Sequence, residues 1–127
     1  MKITLIYDNT TYDKSLKADW GFSCLIEADN YRILFDTGAR GSILLGNMKR
    51  LGIDPVTINE VFISHDHWDH TGGLADFLDK NPAKVYLPGS CKNNYAAGEA
   101  VRMEGSGEIH KNIFSVNVIG NVSCKVD

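Results

Sequence analysis

With 127 residues, 43% of them hydrophobic and 23% charged, the chain fits one globular domain and is too apolar for a disordered one. A net charge of −3 and a pI near 5.7, with Lys49-Arg50 the only adjacent basic pair, exclude long-range attraction for nucleic acid or an anionic membrane. No apolar run approaches the ~18 residues of a membrane span. The opening MKITLIYDNT lacks the long apolar region of a secretion signal, so a cytoplasmic protein is expected. The cysteines Cys24, Cys91 and Cys124 are odd in number and far apart, which argues against a disulfide framework or a Cys-x-x-Cys metal site.

In chain order, residues 2–7 predict a strand that ends at the polar group Asp8-Asn9-Thr10-Thr11, and a loop follows through Trp20-Gly21. Phe22 to Glu27 and Tyr31 to Phe35 are β-prone runs joined by Ala28-Asp29-Asn30, a hairpin pattern. Asp36-Thr37-Gly38 closes the second of them. From Ser42 to Leu51 the period changes: Leu44, Met48 and Leu51 stand at i, i+4 and i+7, Gly52 follows, and a helix with Ser42 near its N-cap is expected. Val61-Phe62-Ile63 has the continuous apolar character of a strand buried on both faces. Leu74, Phe77 and Leu78 predict a short helix after Gly72-Gly73. Lys84 to Leu87 predicts a strand stopped by Pro88-Gly89. Ser90 to His110, with its glycines and scattered charges, has no clean period and is expected to be an irregular excursion. Ile113 to Ile119 and Val122 to Val126 are β-rich. The order of elements is that of an α/β domain.

Chemistry concentrates in Ser64-His65-Asp66-His67-Trp68-Asp69-His70-Thr71-Gly72-Gly73, which holds three of the four histidines. Imidazole and carboxylate together suit zinc, iron or manganese. His65 and His67, two apart behind a strand, project to one side if the backbone stays extended. A turn then returns Asp69 and His70 to a second point nearby. The alternative, histidines gathered by chance in a polar loop, accounts poorly for their interleaving with Asp66 and Asp69 between a buried strand and Gly-Gly. No Gly-x-Ser-x-Gly or P-loop pattern competes for the functional role.

The run His-x-His-x-Asp-His behind a strand resembles the signature of the metallo-β-lactamase superfamily, and Leu34-Phe35-Asp36-Thr37-Gly38 resembles a second segment of that family. Tyr7-Asp8-Asn9 and Trp20-Gly21-Phe22-Ser23 narrow the resemblance to its dihydropterin-related subgroup, similar to 7,8-dihydropterin-6-methyl-4-(ribofuranosyl)-aminobenzene-5′-phosphate synthase. The resemblance is clearest over residues 1–88. It implies the N-terminal half of an αββα sandwich, one mixed sheet with helices on one face, within a single domain that looks truncated.

The resemblance further implies that His65 and His67 hold one divalent ion and Asp69 and His70 a second, zinc ahead of iron or manganese. Asp36 would orient the ligand loop from behind, and Asp69 would also serve catalysis. Asp66 and Trp68 are expected to support the loop. Asp8 or Asn9 lies near the site on the same resemblance, though turn formation explains both equally well. His110 is the candidate for an additional ligand, ahead of Cys91 and Cys124. The implied activity is hydrolysis of an ester or phosphoester in a small molecule by metal-activated water. A transferase of pterin biosynthesis, and a non-catalytic remnant that binds metal as a subunit or module, are the alternatives. Half a sandwich leaves one sheet face uncovered, so a homodimer or a partner chain is expected there.

Overall fold

The computed structural model describes residues 1–88 and the backbone of residues 100–103. Six strands lie in one sheet in sequence order: β1 (Lys2–Tyr7), β2 (Ser23–Ala28), β3 (Tyr31–Phe35), β4 (Glu60–Phe62), β5 (Lys84–Pro88) and β6 (Ala100–Met103). The first three are antiparallel neighbours and the last three join in parallel, giving a mixed sheet. The change from antiparallel to parallel comes where helical connections begin: α1 (Gly41–Arg50) leads from β3 towards β4, and α2 (Trp68–Thr71) and α3 (Leu74–Lys80) lead from β4 to β5. Parallel neighbours need such crossovers, whereas β2 and β3 need only two residues between them.

Those two residues are Asp29 and Asn30, with φ of 49° and 65°. Left-handed backbone at both central positions is the I′ geometry that matches the twist of paired strands, and Asp and Asn tolerate it better than most residues. Cross-strand register then places Leu25 beside Leu34, Leu34 beside Val61 and Val61 beside Val85 on one face. All four are buried, with Leu44, Met48, Leu74, Phe77 and Leu78 from the helices in the same cluster. Period 3.6 on α1 and period 2 on the strands thus bury one shared core.

The opposite face carries Ile26 beside Ile33 and Phe35 beside Phe62, with Phe62 next to Tyr86. These side chains are only half-buried, and Ile3 and Leu5 at the β1 edge are exposed. Phe35 and Phe62 stack on one another at 5.4 Å. β4 is therefore buried on one face and not on both: Val61 and Ile63 are fully enclosed, while Phe62 points to the half-open side.

Three further expectations need correction. Helix α1 starts one residue earlier than Ser42, with Arg40 as its N-cap and no side-chain cap bond. Its Lys49 and Arg50 stand in the last turn, where they complement the helix dipole. Within Ser90–His110, residues 100–103 form β6 and pair with β5, so the stretch is not irregular throughout; Pro88 likewise belongs to β5. A pleated strand of four residues in an unperiodic segment leaves no alternation long enough to read. The β-rich runs from Ile113 to Val126 lie outside the described residues. No helix among the described residues is long and apolar enough to cross a membrane.

Candidate metal centre

Three short segments meet at the C-terminal ends of β3 and β4. The turn after β3 begins with Asp36, whose φ of 57° swings the chain out of the strand direction. Backbone bonds then fasten that turn to the histidine loop: Thr37 donates both its N–H and its hydroxyl to the carbonyl of His70, each at 2.8 Å. Gly38 donates to the carbonyl of Phe22 and accepts from the N–H of Gly73. The third segment enters through Gly21, at φ 118°, where a Cβ would stand 1.9 Å from the carbonyl oxygen of Asp69. Only glycine lets that backbone approach so closely.

The turn expected between His67 and Asp69 is a single turn of helix, α2. His67 caps it in extended conformation, and its carbonyl accepts from the N–H groups of His70 and Thr71. One helical turn brings His70 back over His65, with ring centroids 4.1 Å apart, while His67 meets His65 edge-on at 4.4 Å. Asp69 places Oδ2 at 3.7 Å from Nε2 of His70. The three rings of the loop are thus in contact and Asp69 neighbours His70, but among the described residues the ligand atoms gathered into one group are those of Asp36, His65 and His70, without His67 or Asp69. The two expected pairs adjoin, since the His65 ring lies against both His67 and His70.

Asp36 organises the rear of the cluster. It is 1% exposed, and its Oδ1 accepts the backbone N–H of Ser64 at 2.8 Å. Its Oδ2 takes the Ser64 hydroxyl at 2.6 Å and Nδ1 of His70 at 2.8 Å. Ser64 Oγ is in turn 2.8 Å from Nδ1 of His65. Proton counting fixes the roles along this relay. An ionised carboxylate only accepts, so the single hydroxyl proton of Ser64 goes to Asp36. Ser64 can then only accept from His65, which puts a proton on Nδ1 of that ring. Nδ1 of His70 must likewise carry a proton to reach Asp36. In their neutral forms both rings are left with a lone pair on Nε2.

The electrostatics follow. Burial, and then the neighbouring rings of His70 and His67, hold the His65 imidazole below its ordinary value. The hydrogen bond to Asp36 raises His70 above its own, against the effect of burial.

One ligand atom each from Asp36, His65 and His70 lies within 4.8 Å of the others, close enough to surround one cation. Both Asp36 oxygens are already committed to hydrogen bonds, however, which leaves Nε2 of His65 and of His70 and the neighbouring Asp69 carboxylate as donors. Lone pairs on Nε2 beside a carboxylate are a donor set that fits zinc, iron or manganese. Asp66 is half-buried and Trp68 is 66% exposed, so Trp68 does not support the loop by packing beneath it. Asn9 does approach the site: its Oδ1 accepts the N–H of Gly21 at 2.8 Å. Ser64 is the participant that sequence reasoning passed over, though a hydroxyl directly between a buried strand and the first histidine was the available signal. His110, Cys91 and Cys124 lie outside the described residues.

The sequence profile of the metallo-beta-lactamase superfamily matches residues 21–115, which include Asp36, Ser64, His65, His67, Asp69 and His70. The chain belongs to the metallo-β-lactamase superfamily. A curated relative from Methanocaldococcus jannaschii, 7,8-dihydropterin-6-methyl-4-(β-D-ribofuranosyl)-aminobenzene-5′-phosphate synthase, is 43% identical over 75 residues, 56% of this chain and 26% of that protein. An uncharacterized protein of the same archaeon is 44% identical over 79 residues, covering 62% and 30% of the two chains. An atrochrysone carboxyl ACP thioesterase of Emericella nidulans is 34% identical over 84 residues, 59% of this chain and 26% of that one. Among solved structures, the MIM-2 metallo-β-lactamase superposes at a TM-score of 0.53 with 20% identity, over 69% of this chain and 40% of its own. A Cronobacter sakazakii metallo-β-lactamase gives 0.52 and 22% over 70% and 40%. At that identity the likeness is one of fold. The chain spans between a quarter and a third of the two archaeal relatives.

Proposed function

We propose that the chain carries the metal-holding part of a hydrolase centre that cleaves an ester, thioester or phosphoester of a small molecule. The observation that carries this reading is the Asp36–Ser64 relay, which leaves Nε2 of His65 and of His70 as lone pairs on one side of the cluster. In this reading His65 and His67 hold one divalent ion and Asp69 and His70 a second, with zinc the best match to the donors and iron or manganese compatible with them. Asp36 fixes the tautomer and orientation of His70 directly and of His65 through Ser64, and raises their basicity as ligands.

When bound, the ions supply Lewis acidity to a water and to the oxygen of the group under attack. The protein's own part is positional. Asp69 stands beside His70, with Oδ2 3.7 Å from Nε2, and its carboxylate would accept a hydrogen bond from the attacking water and orient it towards the electrophile. The bond between Thr37 and the His70 carbonyl keeps Asp69 and His70 in fixed relation to Asp36.

Two donors per ion are fewer than the three that a catalytic zinc ordinarily has. Further donors must come from outside the described residues, with His110 the candidate within this chain. Two second readings have a specific observation behind them. The 43% identity with a pterin-related synthase favours a transferase. The two donors per ion among the described residues favour a metal-binding module without turnover.

Metal analysis combined with a screen of ester, thioester and phosphodiester substrates separates the three. Bound metal with turnover lost in His67→Ala supports the hydrolase. Stoichiometric metal without turnover of any of these substrates overturns it, and release of a transferred group only with a second substrate points to the transferase.

A further inference from the structure

Tyr7, the last residue of β1, is a phenol enclosed almost completely: it is 1% exposed, and Ile6 before it is 2% exposed. Neighbouring residues of a regular strand point to opposite faces, so one of the two should lie on the half-open side of the sheet. The register of β1 against β2 shifts between Leu5 and Tyr7, leaving Tyr7 opposite the buried Ser23. An extra residue at such a shift re-aims a side chain, and here it turns the phenol into the molecule.

Two contacts lead from that side chain towards the ligand loop, one from the ring and one from the hydroxyl. The ring supports the turn after β3. A Cβ added at Gly38 would stand 2.5 Å from two ring carbons, so only a residue without one lets the turn settle there. Gly38 passes that support on: its carbonyl accepts the N–H of Gly73 at 3.2 Å, while Thr37 beside it binds the carbonyl of His70. The hydroxyl donates to Oδ2 of Asp19, a long bond of 3.4 Å. Arg40 Nε reaches the same oxygen at 3.1 Å, and Oδ1 of Asp19 takes the Trp20 N–H at 2.9 Å. Next in the chain is Gly21, whose backbone lies against the carbonyl of Asp69. Burial, and then the charge of Asp19, push the phenol above its ordinary value, so it stays a donor across the neutral range.

We propose that Tyr7 is a positioning residue of the metal centre. Its ring seats the turn that carries Asp36 and reaches His70. Its hydroxyl, through Asp19, steadies the segment that bears on Asp69. One buried side chain thereby sets Asp69 in place relative to Asp36 and His70. The proposal rests on the functional reading above for the ion itself, but both contacts are measurable without any metal.

The test reads the 127-residue chain twice, metal-free by amide hydrogen exchange in NMR and then by cobalt(II) titration followed in visible absorbance. Tyr7→Phe keeps the ring and removes the hydroxyl. Its Gly21 amide should exchange about tenfold faster, with the Thr37 and Gly38 amides at wild-type protection. Tyr7→Leu removes the ring as well, and there all three amides should lose protection. Cobalt affinity should fall about tenfold in Tyr7→Phe, the lower end of what losing an outer partner costs, and further in Tyr7→Leu. Because the hydroxyl acts through Asp19, Tyr7→Phe combined with Asp19→Ala should bind cobalt no more weakly than Asp19→Ala alone. A tyrosine that only fills space would instead add its loss in full. Should Tyr7→Leu not fold, the Tyr7→Phe and Asp19→Ala cycle decides alone. Unaltered Gly21 exchange in Tyr7→Phe, or bound cobalt with wild-type affinity in that variant, overturns the proposal. The expected exchange pattern in a chain that takes up no cobalt supports the role of Tyr7 in placing these residues and sinks the hydrolase reading.

Discussion

The carboxylate of Asp36, which leaves β3 at a positive φ, is buried and meets three donors, namely the Ser64 amide, the Ser64 hydroxyl and the His70 ring. Replacing it by Ala orphans all three donors. Hydrogen bonds to a charged group are each worth about 1.5–3 kcal/mol, so Asp36→Ala is expected to lower stability by several kcal/mol, read from urea unfolding. Asp36→Asn keeps the shape but offers at best one acceptor oxygen. It should fold, yet bind metal about 10–100-fold more weakly, as measured by cobalt titration, because the imidazoles lose their orienting partner.

The same contact sets a pH dependence. His70 is raised in the folded state, so its contribution to stability without metal is fully present below the unfolded value, near 6.5, and disappears as pH rises through the higher folded value. His65 is lowered, so its contribution has the opposite sign: it is gained as pH rises through the folded value and complete above 6.5. Metal competes with the proton on both rings, and uptake should keep strengthening above pH 6.5 until His70 is neutral. In Asp36→Asn that upper limb should move to lower pH, and a limb that stays in place would show that Asp36 does not set it. The histidines and Asp69 were legible from residue type and spacing. Asp36 could be read equally as a turn former, because its role depends on Ser64 and His70 arriving from 28 and 34 residues away.

At the level of elements, the centre exists because the β3 turn, the histidine loop and the Trp20-Gly21 segment interlock through backbone. Gly21→Ala places a Cβ against the Asp69 carbonyl at a φ that side chains rarely adopt. Backbone strain of about 1–3 kcal/mol is expected, together with weakened metal uptake, since Asp69 must move. A Gly21→Ala variant with unchanged melting temperature and metal affinity would mean the segment is not fastened there. Asn47 fastens another loop in the same way. Buried at 1% exposure, it donates to the carbonyls of Ile6 and Lys17 and accepts the N–H of Lys17, fixing the long loop before β2 to α1. Asn47→Ala leaves those groups without a partner and should cost on the order of 2–4 kcal/mol in chemical denaturation. Hairpin β2–β3, α1, α3 and β5 were readable because each has a local pattern: Asp-Asn between β-prone runs, 3.6-residue periodicity, and alternation. The helical turn α2 and the strand β6 were not, since four residues show no period and their conformation is decided by tertiary contacts.

On the scale of the whole molecule, helices cover one sheet face while Ile26, Ile33, Phe35 and Phe62 lie half-buried on the other and Leu5 is 54% exposed at its edge. We propose that a second copy of the chain covers this face. The apolar strip is bordered by Glu60 and Lys84, directly opposite one another in register, so two copies related by a two-fold axis meet without like-charge repulsion. Sedimentation equilibrium at micromolar concentration should give the mass of a dimer, and Leu5→Glu should shift it towards the monomer with its circular dichroism unchanged. A wild-type monomer under those conditions would rule the arrangement out. The exposed face was foreseeable from the family resemblance of the first 88 residues, whereas its residues emerge only from the register of β1, β2, β3 and β4.

We propose that the imidazoles and carboxylate of the loop behind β4 take up a divalent cation. Equilibrium dialysis against zinc with elemental analysis, on the wild type and on His65→Ala combined with His70→Ala, measures it directly. The expected result is at least one zinc per chain for the wild type and a loss of about a hundredfold or more in affinity for the double variant. Equal zinc content in the two proteins, or none in the wild type, would contradict the account.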